Sequence, residues 1–375
     1  MTIAIDVRSL CDAHPSGVGH ALYEILRAWP TTDDTMVLFS CGRKPPRLPR
    51  SITERPNVRS IHRTIPNKIV NALIALRLVS LEQLLGSRVD AVWFPNTGFL
   101  PRTRARTIIT AHDLAFHLMK STYTWKDHAR YAITRTIASL RRANAVIAIS
   151  ESTARDVLQL HPNGRVHTVL HGVDHEQFHQ NPLPSDATWL QRYGIKKPYL
   201  LFVATIEPRK NVPSLIEAFD TVAKTHRSLQ LVISGGRGWK RTSFERALKS
   251  TEHRDRILTI GYVEDSARPA LMRHALALCL PSRYEGFGMQ VLEAMACGAP
   301  VICSSNSSLP EVGGDAPLYV RAMNVRELER ALEHILSSNT LRYHCRERGL
   351  AQSQSFNWNH TANVVLKVIT KTAAS

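Results

Sequence analysis

The chain has 375 residues, 43% of them apolar, and carries 48 Lys or Arg against 31 Asp or Glu, a formal net charge of +17. That length suits two medium domains and the apolar fraction is enough for two cores, while no apolar run is long enough to span a bilayer. The start, Met1-Thr-Ile-Ala-Ile-Asp-Val-Arg8, lacks the basic-then-apolar order of a signal peptide, so a cytosolic protein is expected. Strand-like apolar runs alternate with helical patterns, which predicts parallel sheets covered by helices. The predicted strands are 3–7, 36–40, 58–61, 91–94, 107–110, 145–149 and 166–170. Residues 179–197, with Pro182 and Pro184, read as a linker holding a short helix near Trp189. Strands resume at 199–204, 229–234, 257–260, 277–280 and 300–303. The expectation is α/β: two doubly wound Rossmann-like domains, 1–178 and 198–355, facing a central cleft where the strands' carboxyl ends bind ligand. Cysteines 11, 41, 279, 297, 303 and 345 show no C-x2-C pair, which favours buried reduced thiols over disulfides or zinc ligands.

Residues 281–311 read PSRYEGFGMQVLEAMACGAPVICSSNSSLPE. A buried strand should lead into a Gly286-Phe287-Gly288 loop and a helix opening near Met289, with Glu285 on the loop and Glu293 in the early turns. Helix amides and dipole attract a diphosphate, and the glycines let a ligand approach the main chain. Taken singly, Glu285 caps a turn and Glu293 is a solvated helix residue, because an E-x7-E spacing often arises by chance. The surroundings add E-G-F-G, E-A-M-A-C-G-x-P-V and S-x-x-P-E-V. Elsewhere, in order, stand Ile3-Ala-Ile-Asp-Val7, Pro15-Ser-Gly-Val-Gly19, His112-Asp113, Ala145-Val-Ile-Ala-Ile-Ser150, His171-Gly-Val-Asp174 and Glu207-Pro-Arg-Lys-Asn211. Together these resemble the retaining glycosyltransferases of family 4, which have the GT-B architecture, over nearly the whole chain. The resemblance implies that a final helix, 356–375, returns to the first domain.

It also implies roles for single residues. His112, at a strand end, would contact the donor sugar, although the pair read alone is a structural histidine with Asp113 capping the next segment. Gly17 and Gly19 would let a loop fold over phosphate or sugar, and a simple turn explains them as well; they do not form the full G-x-G-x-x-G pattern, which disfavours a nicotinamide cofactor. Arg209 and Lys210 would neutralise the departing diphosphate, a role that preorganised positive charge suits; an exposed basic pair on a loop is the alternative. Many relatives carry Gly-Arg where Ala204-Thr205 stand, so the load shifts to Arg209 and Lys210. Glu285 would hold the sugar hydroxyls, Glu293 the ribose, and the loop of Gly286, Phe287 and Gly288 the sugar and phosphate. Without a D-x-D triplet no metal is expected, and no cofactor beyond the nucleotide-sugar substrate.

The E-P-R-K-N form resembles a bacterial branch with mannosyltransferases. The implied function is transfer of a hexose, mannose from GDP-mannose, with retention, to a glycan or polyprenyl-diphosphate-linked acceptor in surface polysaccharide or lipopolysaccharide synthesis. The alternatives are a UDP-sugar donor (glucosyl-, galactosyl- or N-acetylglucosaminyltransferase), a nucleotide-sugar epimerase, or a basic membrane- or RNA-binding module. Residues 43–106 hold thirteen Lys or Arg against three acids. With the apolar stretch Ile69–Leu85 they suit an anionic membrane surface, which would place the protein at the inner face of the cytoplasmic membrane; a core helix with solvated arginines fits equally. Nucleic acid is not the expected partner, and the sequence sets no oligomeric state.

Overall fold

The computed structural model describes residues 1–11 and 16–375, so Pro15 of the first glycine loop lies outside the described residues. The chain forms two compact units. One comprises Met1–Phe116, Trp125–Gly172 and Asn357–Ser375, and the other His117–Thr124 and Val173–Phe356.

The first unit is built on seven strands: β1 (Thr2–Asp6), β2 (Thr35–Cys41), β3 (Val58–Arg63), β4 (Ala91–Phe94), β5 (Arg106–Ala111), β6 (Ala145–Ala148) and β7 (Val166–Thr168). They lie parallel in the order β3-β2-β1-β4-β5-β6-β7. The second holds β8 (Tyr199–Val203), β9 (Gln230–Ser234), β10 (Ile257–Gly261), β11 (Ala277–Leu280), β12 (Val301–Ser304) and β13 (Leu318–Val320). These are also parallel, in the order β10-β9-β8-β11-β12-β13. Helices cover both faces of such sheets, so the central strands are apolar throughout: every residue of β8 and β11 is buried. Edge strand β3 is partly exposed along its length. The order reverses between β1 and β4 in one sheet and between β8 and β11 in the other. Ligands of doubly wound sheets bind beyond the strand ends at such reversals.

All twelve predicted strands form. The thirteenth, β13, has three residues of which only Val320 is buried, too little for an apolar pattern. Residues 179–197 do not act as a bare linker. Their helix Ser185–Arg192 belongs to the second unit, where buried Asp186 accepts hydrogen bonds from Arg273 at 2.9 and 3.0 Å and pairs with His274 at 3.0 Å. The final helix, Trp358–Ala373, buries Trp358, Ala362, Val365 and Ile369 within the first unit, at the three- and four-residue spacing of an apolar helix face.

The Ile69–Leu85 stretch is two helices, Asn67–Ala75 and Leu81–Leu85, not one. Arg77 between them takes φ 61°, and a capping box at Ser80 and Gln83 starts the second helix. Val70, Ile74, Leu81, Leu84 and Leu85 enter the core, whereas Ile69, Leu76 and Leu78 stay exposed.

Candidate functional site

In the second unit three loops meet beyond the strand ends. The loop after β8 carries Glu207 to Asn211, the loop after β11 carries Ser282 to Gly288, and the loop after β12 carries Asn306 to Ser308. Backbone bonds tie the first two, Arg283 N–H donating to the Arg209 carbonyl at 2.8 Å. Asn211 adds a side-chain bond to the Pro281 carbonyl at 3.2 Å and holds φ 55°, a conformation asparagine tolerates. Glu285 N–H donates to Ser307 Oγ at 2.9 Å, and Ser308 Oγ donates to the Glu285 and Phe287 carbonyls at 3.0 and 2.8 Å. Gly288 takes φ 104°, and a Cβ there would lie 2.7 Å from Leu309 Cδ2. Only glycine passes that point before the helix Met289–Ala296.

At the centre lies a four-residue charge cluster. Lys210 Nζ donates to both oxygens of Glu285 at 2.6 and 2.8 Å, Ser282 Oγ to Oε1 at 2.6 Å, and Arg209 Nη1 to Oε2 at 2.9 Å. Arg209 Nη2 also pairs with Glu207 Oε1 at 2.6 Å. A carboxylate has about four acceptor positions, and the four hydrogen bonds from these three donor groups take them all. Burial by itself would raise the Glu285 carboxyl, but the Lys210 and Arg209 charges and the bonds from Lys210 and Ser282 outweigh it and hold it at about 2. Lys210 is lowered, because burial costs its ammonium more than Glu285 returns. The pair is ionised, since four hydrogen bonds from Lys210, Ser282 and Arg209 converge on the Glu285 carboxylate. Burial raises the Glu207 carboxyl, with Arg209 and Lys210 offsetting only part of it.

Glu293 lies apart from this cluster. It is buried, and both its oxygens accept from Arg268 Nη1 at 3.2 Å. Burial raises its carboxyl beyond what Arg268 restores. Phe287 is buried with its ring edge-on to Phe356, at a centroid distance of 6.1 Å, so the side chain supports the loop from beneath.

In the first unit His112 follows β5, and its Nε2 bonds to the Pro95 carbonyl at 2.8 Å. A carbonyl only accepts, so Nε2 carries the proton and the neutral ring presents an acceptor at Nδ1. Burial lowers His112, with Pro95 and Asp113 opposing; burial also lowers neighbouring His171, whose ring is 5.8 Å away. Asp113 accepts from Ala115 N–H at 3.0 Å, the capping role expected of it alone. Gly17 and Gly19 are not in a loop: both lie in the first turn of the helix Gly17–Arg27.

The structure thus brings Arg209, Lys210 and Glu285 into direct contact and leaves Glu293 with Arg268. Sequence reasoning did not single out Glu207, Arg268 or Ser307. Glu207 stood inside the quoted E-P-R-K-N motif, whereas nothing in the sequence marks Arg268. Among the described residues no group of three or more His, Cys, Asp or Glu could hold a metal ion, and no helix is long and apolar enough to cross a membrane.

Two family models match the chain, one described as Glycosyltransferase Family 4 over residues 15–177 and one as Glycosyl transferases group 1 over residues 186–352. The chain is 31% identical over 275 residues to the O-antigen chain mannosyltransferase B of Escherichia coli, covering 72% of each. It is 29% identical over 275 residues to the serotype-specific mannosyltransferase WbdA of Escherichia coli, covering 71% of this chain but 33% of that much longer relative. Sucrose-phosphate synthase from Thermosynechococcus elongatus superimposes over 100% of both chains with a TM-score of 0.76 at 19% identity, a likeness of fold alone. That fold is GT-B.

Proposed function

The chain belongs to glycosyltransferase family 4, and on that premise we propose that it moves mannose from GDP-mannose to a lipid-linked or polysaccharide acceptor of a bacterial surface glycan, with retention of configuration. The observation that carries the reading is the Glu207, Arg209, Lys210 and Glu285 cluster at the β8/β11 reversal. Two fixed cations at such a reversal suit a nucleotide diphosphate. The choice of mannose rests on the likeness to the O-antigen mannosyltransferase.

In the reaction the bond from the sugar's anomeric carbon to the diphosphate breaks, and a bond to the acceptor hydroxyl forms on the same face. A phosphate oxygen takes the acceptor's proton, and the nucleoside diphosphate leaves. Lys210 and Arg209 stabilise the charge that develops on it, and no resident metal is needed for that role. Glu285 holds both cations in place, so we assign it chiefly to positioning them. Neutral His112 offers Nδ1 as an acceptor to a sugar hydroxyl.

The test is thermal stabilisation by GDP, UDP, ADP and dTDP, each with and without EDTA. A ligand at a hundredfold its Kd adds about 2.7 kcal/mol. Selective stabilisation by GDP that survives EDTA is expected. A preference for UDP would overturn the donor, and loss with EDTA would overturn the metal-free reading.

A further inference from the structure

Four arginines of the first unit converge on one cavity. Arg77, Arg102, Arg135 and Arg142 line a pocket of about 110 Å³ together with Leu100 and Ile133. An adjoining cavity of about 440 Å³ shares Leu100, Arg102 and Arg142, adds Arg104 and Arg106, and like the first has no Asp or Glu in its wall. The four guanidinium groups are exposed, and among the described residues none pairs with a carboxylate. They repel one another: the charges of Arg135 and Arg102, then burial and Arg142, hold Arg77 below its ordinary value.

The backbone at this place is also unfavourable. Arg77 and Arg135 hold φ of 61° and 53°, in the left-handed region that residues with a Cβ avoid. Strain of this kind gathers at ligand sites, where the surrounding structure holds it. Crowded like charges and two strained residues both weaken the free protein, and a bound anion would relieve the repulsion. Beside the arginines stand exposed apolar side chains: Leu76 and Leu78 flank Arg77, and Ile133 lies two residues before Arg135, with 68%, 65% and 55% of their surfaces exposed. Free phosphate and nucleic acid have no use for such a rim, whereas a phosphate carried on a hydrocarbon chain does.

We propose that this pocket binds the phosphate or diphosphate headgroup of a membrane amphiphile, the guanidinium groups taking the phosphate oxygens and Leu76, Leu78 and Ile133 meeting the hydrocarbon. The site deepens the acceptor half of the proposed function and rests on that reading. It also narrows the basic excess of residues 43–106 to a few side chains and brings in Arg135 and Arg142 from outside it.

The experiment measures partition of the 375-residue chain onto phosphatidylcholine vesicles with and without phosphatidic acid. It compares wild type with Arg102→Gln/Arg142→Gln and with Arg43→Gln/Arg47→Gln, which removes the same charge from exposed positions outside the pocket. At roughly fivefold per arginine, the first pair should partition about 25-fold less onto the anionic vesicles, and the second pair should be far less affected. Equal losses in the two pairs would mean a diffuse basic face and overturn the pocket, as would no loss in the first. Should the first pair not fold, protection of Arg102 and Arg142 from phenylglyoxal in the wild type reads the same site. Protection by inorganic pyrophosphate but not by phosphatidic acid vesicles would overturn the lipid. GDP stabilisation is followed in the same samples: its persistence in a pair that binds vesicles normally sinks this site alone, and its absence in the wild type sinks the donor reading alone.

Discussion

Glu285→Gln removes the anion from under two cations while keeping the side chain's shape. The carboxyl is held at about 2 against its ordinary 4.5. At roughly 1.4 kcal/mol per pH unit, that difference amounts to on the order of 3 kcal/mol of stability at neutral pH. Breaking one side of a buried ion pair ordinarily costs about 3–5 kcal/mol, so two independent routes agree. For a unit of this size each kcal/mol moves the melting temperature by about 2–4 °C, giving a fall of roughly 6–12 °C by calorimetry. Because the folded carboxyl is depressed, its contribution is present above about 4.5 and disappears as pH falls towards about 2. The gap between wild type and variant should therefore close across that window. Lys210→Met/Glu285→Gln, which leaves neither charge stranded, should lose less than the sum of the single variants by about 1–3 kcal/mol. Single variants that each melt within a degree of wild type, or a double variant that is simply additive, would refute the reasoning. Turnover should fall about a hundredfold in Glu285→Gln as Lys210 and Arg209 lose their anchor.

His112→Ala should cost about 1 kcal/mol of stability through the lost Pro95 bond but lower kcat by about a hundredfold; a kcat that merely tracks the folded fraction would contradict the role at the sugar proposed for it. Gly288→Ala meets both the φ of 104° and Leu309 at 2.7 Å, so a loss above about 1 kcal/mol is expected by denaturant titration. His171 and His112 are both depressed, so below about 6.5 the unfolded chain takes up protons that the fold refuses. Melting of the first unit should fall as pH drops through that value, and His171→Phe should flatten the slope.

The sheets were legible because strands buried on both faces appear as unbroken apolar runs, as in Tyr199–Val203 and Ala277–Leu280. The short edge strand at Leu318–Val320 has no such run. In the site, Glu285 and Lys210 were each visible in a motif, but their contact spans 75 positions and no local pattern encodes it. Nor does spacing reveal that Glu293 faces Arg268, 25 positions earlier. The start of the helix at Gly17 was missed because glycine is a poor helix former, and here its position is set by packing of the apolar face behind it. A count of charge along the chain located residues 43–106, yet the pocket joins Arg77 and Arg102 to Arg135 and Arg142. Only the fold brings those segments together.

Under the proposed function the cluster also constrains how a diphosphate can enter. With both carboxylates ionised, Arg209 and Lys210 are balanced by Glu207 and Glu285, and the site offers little net positive charge. Glu285 is deeply ionised, so the balance shifts at Glu207, whose carboxyl burial already raises. A nearby diphosphate disfavours the ionised form further. Under the proposed function, binding GDP should therefore draw a proton onto Glu207 and release Arg209 towards the phosphates. Linkage then requires affinity to weaken as pH rises, because protons are taken up on binding. Calorimetric titration with GDP in buffers of different ionisation heat measures that uptake directly. A positive uptake in wild type that vanishes in Glu207→Gln is expected, together with tighter binding by the variant at alkaline pH. Zero uptake in wild type with unchanged affinity in Glu207→Gln would instead mean that Arg209 stays with Glu207, and that Lys210 faces the diphosphate alone.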